Sequence, residues 1–377
     1  MKFLFITATP LDPIQGSGTY VGIATLKSAL ERAGHSVQLL APQRSVCPNY
    51  VLKRYWFNRT LPPRINRQIQ GKPFHAVIGF DCDGFYWGRF RERHPNLFSI
   101  PYIVSIKGVL ADEAKQEKGI VQKLLQIQAG WEIQNVSLAD RVFATSRYSQ
   151  RMIEQNYRIA GDKIQILPEL IHIPAWNTLL SNAVLRKDKK GIIILTVCRM
   201  YPRKNLGLLL HAWKNVIRKE PSSQLRIVGS GQEYSRWSGL ARRLSLGDSV
   251  FFLGDRTREQ LAEEYKNCDL FCLPSRQEGF GIVFLEAMVA GKPIIATTAG
   301  AIPEVVHPNE HGILINPDSE SELTWALIQM IRSQSLRQQL GSRGREWVKQ
   351  FDSLEIAQKF IAQVLQEKGI KEQAPKD

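Results

Sequence analysis

Twelve short apolar runs, alternating with stretches of helical periodicity, constrain this chain more than any other feature of it. The first six are KFLFITA, HSVQLLA, FHAVIGF, IPYIVSI, RVFATS and KIQILP, with TYVGIATLKSALERAG and a long segment over 113–138 reading as helices between them. The second six are GIIILTV, LRIVG, VFFLG, DLFCLPS, PIIATT and GILINP. Strand and helix in strict alternation predict an α/β protein of parallel sheets wound on both faces. Between the two groups, residues 173–190 lose the pattern and end in a charge run, which predicts a linker. The expected organisation is a first domain over 1–172, a second over 191–351, and a last amphipathic helix in 352–377, FDSLEIAQKFIAQVLQEKG, ahead of a frayed tail. At 377 residues, two cores are the natural division.

The segment over 278–286, EGFGIVFLE, sets two acids around a glycine turn and an apolar helix start. Gly291 and Pro293 beyond it are helix-stop signals, so Glu278 falls in the loop before a helix and Glu286 inside it. Glu278 and Glu286 lie within ~12 Å of each other at ~1.5 Å rise per residue, near enough for a sugar and a ribose joined by a diphosphate. Backbone N–H groups of Phe280, Gly281 and Ile282 would stand at the positive end of that helix, where phosphate oxygens are favoured. Gly279 and Gly281 allow close approach of the backbone. Read alone, the segment is equally a solvated loop acid, a helix acid and ordinary turn glycines.

Upstream, Arg199 and Lys204 flank the turn MYPR between the apolar run GIIILTVCRM and the helical stretch NLGLLLHAWKNVIRKE. A cationic pair at a strand end suits a diphosphate, the guanidinium as a planar fork and the ammonium as a point charge.

The combination VCRMYPRKN, RIVGSGQE, FFLGD, LPSRQEGFGIVFLEAMVAGKPIIATTAGAIPEVV and HGILINP resembles the C-terminal half of family 4 retaining glycosyltransferases. The likeness is close over 191–317 and loose in the N-terminal half. It implies a GT-B fold, two doubly wound Rossmann-like domains facing a cleft, with the C-terminal helix crossing back to the N-terminal domain. The first domain would bind the acceptor and the second the nucleotide sugar. It further implies that Arg199 and Lys204 grip the donor diphosphate, Glu278 contacts the transferred sugar and Glu286 the ribose hydroxyls. Gly229 and Gly231 would form a strand-end turn beside the donor, and 252–254 would approach the nucleobase. In such enzymes the leaving phosphate takes the acceptor proton, so neither a side-chain base nor a metal or other cofactor is expected. A non-catalytic sugar-nucleotide-binding or scaffold protein, a sugar-nucleotide epimerase and a phosphorylase are the alternatives. The phosphorylase would need a cofactor lysine in a different local sequence.

Apolar content of 44% and charged content of 23% fit a globular protein, and no run of eighteen apolar residues predicts a membrane span. MKFLFITATPLDP is too short and too early broken by Pro10 to read as a secretory signal. Cys47, Cys82, Cys198, Cys268 and Cys272 form no CxxC pair and read as reduced thiols of a cytoplasmic protein; without HExxH either, no metal site is expected.

The net charge of +15 is uneven: no acid occurs between Glu31 and Asp81, where Arg32, Arg44, Lys53, Arg54, Arg59, Arg64, Arg67 and Lys72 fall among Tyr50, Tyr55, Trp56 and Phe57. Residues 32–72 therefore read either as a solvated basic face or as a peripheral docking surface for anionic membrane at its inner face. Nucleic-acid binding is not expected, because no zinc-finger, RNA-recognition or basic-zipper pattern accompanies the charge. The partners expected are a nucleotide sugar and a glycan or lipid-linked acceptor.

Gly16, Gly18 and Gly22 are spaced GxGxxxG, and no acid follows the second strand, which argues against a dinucleotide fingerprint. The resemblance implies that Gly16 and Gly18 lie in a loop close to donor and acceptor; a plain loop before a helix is the other reading. No Walker A sequence occurs. On the acceptor side, Asp81 and Asp83 in GFDCDGFYW read either as partners of acceptor hydroxyls or as loop acids without a chemical role, and Lys107 stands where relatives often carry His. Lys107 would then bring positive charge near the leaving group or the donor sugar, unless it is a structural lysine. His172 stands where relatives show Asn-Gly and reads as structural.

Overall fold

The computed structural model describes residues 1–9, 18–42, 50–69, 74–186 and 191–367. Contacts divide the chain into two units, Met1–Leu170 with the chain from Ser353 on, and Ile171–Asp352. Each holds one parallel sheet of six strands.

In the first unit, β1 (Lys2–Ile6), β2 (Ser36–Leu40), β3 (Ala76–Phe80), β4 (Tyr102–Ile106), β5 (Arg141–Ala144) and β6 (Ile164–Ile166) lie in the order β2-β1-β3-β4-β5-β6. Successive strand side chains point to opposite faces, so β1 sends Leu4 and Ile6 into one apolar cluster and Phe3 and Phe5 into another. Phe57, Trp87 and Val136, from helices Tyr50–Arg59, Phe85–Glu92 and Gly119–Leu138, join the first. Ile23, Leu26 and Leu30 of helix Gly18–Arg32 join the second. With them are Ile356, Ala357, Phe360 and Val364 of the last helix, Ser353–Glu367, and the Phe360 ring meets Phe3 edge-on at 5.3 Å. The amphipathic C-terminal helix thus covers the N-terminal sheet, as expected. The long helix starts later than its periodicity predicts: Leu110–Glu113 and a 3-10 turn come first, and the helix Gly119–Leu138 opens after Lys118 on Gly119, at φ +62°.

The second unit contains β7 (Ile193–Val197), β8 (Gln224–Val228), β9 (Val250–Gly254), β10 (Leu270–Cys272), β11 (Ile294–Thr297) and β12 (Gly312–Ile315), ordered β12-β11-β10-β7-β8-β9. Both faces are covered, which is why these strands read as unbroken apolar runs rather than alternating ones. The segment expected as a linker departs from that expectation. Ile173–Asn182 is a helix whose Trp176 and Leu180 are buried in the second core, Trp176 edge-on to Tyr265 at 5.7 Å. Pattern failed there because a ten-residue helix with two buried contacts leaves little periodicity to see.

One consequence of strand order positions the site. The chain runs outward from β7 through β8 to β9, then returns to the other side of β7 for β10. Loops leaving the C-terminal ends of β7 and β10 therefore diverge, and the crevice between them is where open parallel sheets receive ligands.

Candidate functional site

The loop after β7 carries Arg199, Arg203 and Lys204; the loop after β10 carries Ser275 and Glu278. Pro202–Lys204 forms a 3-10 turn that ends at Asn205, φ +55°, the N-cap of helix Leu206–Lys219. The turn aims Lys204 inward, and it is 9% exposed. Its Nζ lies 2.6 Å from Glu278 Oε1, which also accepts from Ser275 Oγ at 2.8 Å. Arg203 Nη1 stands 3.7 Å from the other oxygen, and the Arg276 N–H donates to the Arg203 carbonyl at 2.7 Å, tying the two loops together. Burial alone would raise the Glu278 carboxyl. The charges of Lys204 and Arg203, with the hydrogen bonds from Lys204 and Ser275, outweigh it and hold the group below the usual carboxylate range.

A third loop fixes the backbone at Glu278. Ala301 N–H donates to the Glu278 carbonyl at 2.9 Å, and Gly300, at φ +60°, passes so close that a Cβ there would sit 2.5 Å from that oxygen. Beyond Glu278, Phe280 is buried edge-on to Phe351 at 5.6 Å, and Gly281, at φ +94°, is the N-cap of helix Ile282–Val289. The N–H groups of Ile282 and Val283 come before the first bond of this helix, in which Phe284 N–H donates to Gly281 O at 3.0 Å. Its far end closes as a Schellman motif, with Gly291 N–H donating to Met288 O and Lys292 N–H to Ala287 O, both 2.9 Å, so the glycine stop signal is borne out.

Glu286 sits inside the helix, 7% exposed, accepting from Tyr265 Oη at 3.0 Å. Burial pushes its carboxyl up to about 7, against the opposing pull of that hydrogen bond and of Arg258. Two acids eight positions apart are thus in opposite states: Glu278 is held ionised and Glu286 is poised to gain a proton near neutrality.

Arg199 belongs to a neighbouring group. Its Nη1 lies 3.1 Å from Ser230 Oγ and 3.5 Å from Asp255 Oδ1, and Ser230 Oγ donates to Asp255 at 2.6 Å. Gly229 and Gly231 let the 229–231 turn lie against this strand end: a Cβ on Gly229 would fall 2.0 Å from Cys198 O, and one on Gly231 2.7 Å from Met200 N.

The first-unit candidates fare differently. Asp83, expected to bond an acceptor hydroxyl, is wholly buried. Arg54 Nε and Asn58 Nδ2 donate to its Oδ1 at 2.8 and 3.0 Å, and Arg54 Nη2 and Ala8 N–H to its Oδ2 at 3.0 and 2.6 Å. A carboxylate has about four acceptor positions, so none remains for a sugar. Arg54 is correspondingly a core residue and not part of a basic surface. Asp81, at φ +53°, accepts the Lys107 N–H at 2.7 Å, and burial pushes its carboxyl up to about 6. Lys107 is buried too, its Nζ 3.1 Å from Glu169 Oε2, so its charge is already met within the protein. Gly22 makes room for this pair: a Cβ there would stand 2.4 Å from Glu169 Oε2. Gly18 begins its helix with open space around it, and Gly16 lies outside the described residues, as do Arg44, Cys47 and Lys72. Cys82, Cys198, Cys268 and Cys272 are buried thiols.

Sequence reasoning missed Arg203, Ser275, Tyr265 and Glu169. Arg203 adjoins Lys204 and Ser275 precedes Glu278 by three, so both were within reach of a local reading; Tyr265 and Glu169 come from other elements and leave no local signal.

The description "Glycosyl transferases group 1" fits residues 180–347, and "Glycosyltransferase Family 4" fits residues 16–173. An uncharacterised glycosyltransferase of Methanocaldococcus jannaschii is 24% identical over 256 residues, 68% of this chain and 66% of its own. A GDP-mannose-dependent alpha-(1-6)-phosphatidylinositol monomannoside mannosyltransferase of Mycobacterium tuberculosis is 32% identical over 162 residues, 41% of this chain and 42% of its own. The chain thus spans between two fifths and two thirds of the length of these curated relatives. Among solved structures, sucrose-phosphate synthase from Thermosynechococcus elongatus superposes with a TM-score of 0.79 at 21% identity, over 97% of this chain and 98% of that one.

Proposed function

This chain belongs to the glycosyltransferases of group 1 and family 4, with their GT-B fold, and from that premise we propose that it transfers a sugar from a nucleoside diphosphate sugar to an acceptor hydroxyl with retention at the anomeric carbon. The observation that carries the reading is the buried Lys204–Glu278 pair at the β7/β10 crevice, beside the N-terminus of Ile282–Val289. A paired, desolvated acid and base at a ligand crevice is the arrangement expected of a functional site rather than of a stability device.

In the proposed step the bond from the anomeric carbon to the phosphate oxygen breaks and one from the acceptor oxygen forms on the same face. The acceptor proton passes to the departing phosphate, so no side-chain base and no metal is called upon. Negative charge grows on the diphosphate as it leaves, and Arg199, Lys204 and the helix N–H groups would stabilise it more than the ground state. Arg203 adds charge to the same loop. Glu278, already ionised, would hold hydroxyls of the transferred sugar, and Glu286 would accept from the ribose.

The mycobacterial relative's use of GDP-mannose and a phosphatidylinositol mannoside supports a nucleotide-sugar donor and a lipid-linked or glycan acceptor here, in glycolipid or polysaccharide biosynthesis. Tyr50, Leu52 and Trp56 are 40%, 51% and 58% exposed on one short basic helix, which supports docking on an anionic membrane. No described helix is long and apolar enough to cross a membrane.

Thermal shift with a panel of nucleotide sugars, followed by product analysis with the donor that shifts Tm most, tests the reading. Transfer or slow donor hydrolysis supports it. Binding without turnover would point to a scaffold, and an epimerised sugar nucleotide without acceptor to an epimerase.

A further inference from the structure

Between helix Ile302–Val305 and β12 lies a turn of sequence HPNEH. Neither HExxH nor CxxC is present in the chain, yet this turn has the same four-residue histidine separation without a helix to display it. Asn309, at φ +63°, donates its N–H to Gly312 O at 2.9 Å, and His311 N–H reaches His307 O at 3.4 Å. The closed turn brings the two imidazoles to 5.3 Å between centroids and Glu310 Oε2 to 3.5 Å from His307 Nδ1. One donor atom from each of His307, Glu310 and His311 lies within 4.8 Å of the other two.

His311 is the residue that points to a ligand. It is 2% exposed, and neither ring nitrogen has a hydrogen-bond partner. Buried polar nitrogens are ordinarily paired, with protein or with water. Stacking on Trp347, at 5.4 Å and 23° between planes, orients the ring instead.

We propose that His307, Glu310 and His311 bind one late divalent transition-metal ion, zinc being the representative. Two imidazole nitrogens and a carboxylate oxygen are a donor set for such ions, at bonds of about 2.0–2.2 Å. Magnesium and calcium favour shells of oxygen instead. The Glu310 side chain, 63% exposed, is free to swing the remaining distance. A surface hollow of about 660 Å³, lined by Glu310, His311, Ser342, Arg343, Glu346 and Trp347, leaves space for water in a fourth position. Arg343, donating to Asn309 O at 3.3 Å, is the cation on that wall and opposes the ion; Glu346 on the same wall is already paired with Lys349. The ion would fasten the chain that runs from Gly300 and Ala301, where Glu278 is held, and it shares no residue with the Lys204–Glu278 group. The inference does not rest on glycosyl transfer.

Untagged, chelator-treated protein titrated with zinc chloride by calorimetry tests the site, with magnesium chloride as comparison and cobalt(II) absorption as a reporter of nitrogen donors. The expected result is one zinc per chain and a rise in Tm with zinc but not magnesium. Zinc affinity should fall at least tenfold in His307→Asn and in Glu310→Gln, both changes at partly or largely exposed side chains that leave the core intact. Failure of the wild type to take up zinc, or wild-type affinity in both variants, overturns the assignment.

Discussion

Lys204 Nζ lies 2.6 Å from Glu278 Oε1, although 74 residues separate them in the chain. The return of the chain across β7 to lay down β10 makes the two loops neighbours, and the pair is buried where they part.

Lys204→Ala is expected to lower turnover by ~10²-fold or more, as loss of a donor to developing negative charge does. It should also cost stability, roughly 3–5 kcal/mol, because Glu278 would be left buried without its counter-charge. Initial rates with a bound donor and urea midpoints measure the two effects separately. Near-normal turnover in Lys204→Ala and in Arg199→Ala together would sink the diphosphate assignment.

Acid should weaken the second unit through Glu278. Its folded pKa is below the unfolded value, so its contribution is present above about 4.3 and is lost as pH falls through the folded value. Urea midpoints of wild type and Glu278→Gln should run parallel above that pH and converge below it.

Glu286 has the opposite sign. With a folded pKa near 7 the native state keeps its proton longer than the unfolded chain, so stability declines as pH rises from the ordinary carboxylate range to about 7 and is level beyond. Glu286→Gln should flatten that slope. If the carboxylate meets ribose hydroxyls, Glu286→Ala should weaken free nucleoside diphosphate by about tenfold or more, a charged hydrogen bond contributing ~1.5–3 kcal/mol. Calorimetric titration of the variant reads this directly, and unchanged affinity would remove Glu286 from the donor site.

Gly300→Ala should be more damaging than an exposed glycine change, since φ is +60° and the new Cβ meets the Glu278 carbonyl at 2.5 Å. A loss of roughly 1–3 kcal/mol is expected, with activity falling further than stability as Glu278 shifts. Gly18→Ala, in open space, serves as the silent comparison in thermal melts.

Much of the fold was legible because buried parallel strands are uniformly apolar: KFLFITA, GIIILTV and DLFCLPS each became a strand. The loop placement of Glu278, the helical placement of Glu286 and the Gly291 stop followed from local backbone chemistry. Helix Ile173–Asn182 did not, since its membership of the second core rests on Trp176 meeting Tyr265, a contact no local window contains.

By itself, then, the sequence determined the alternation of elements, the glycines that only certain backbone angles admit, and the residue types offered at strand ends. Tertiary structure decided which of those side chains are available. Asp83 and Lys107 look alike to Glu278 and Lys204 in one dimension, as charged residues after apolar strands. In three, Asp83 is filled by Arg54, Asn58 and Ala8, and Lys107 by Glu169, while Lys204 and Glu278 meet at the point where the strand order reverses. Burial makes an unpaired charge too costly to keep, so its partner is chosen by the fold, from whichever segment the sheet brings alongside.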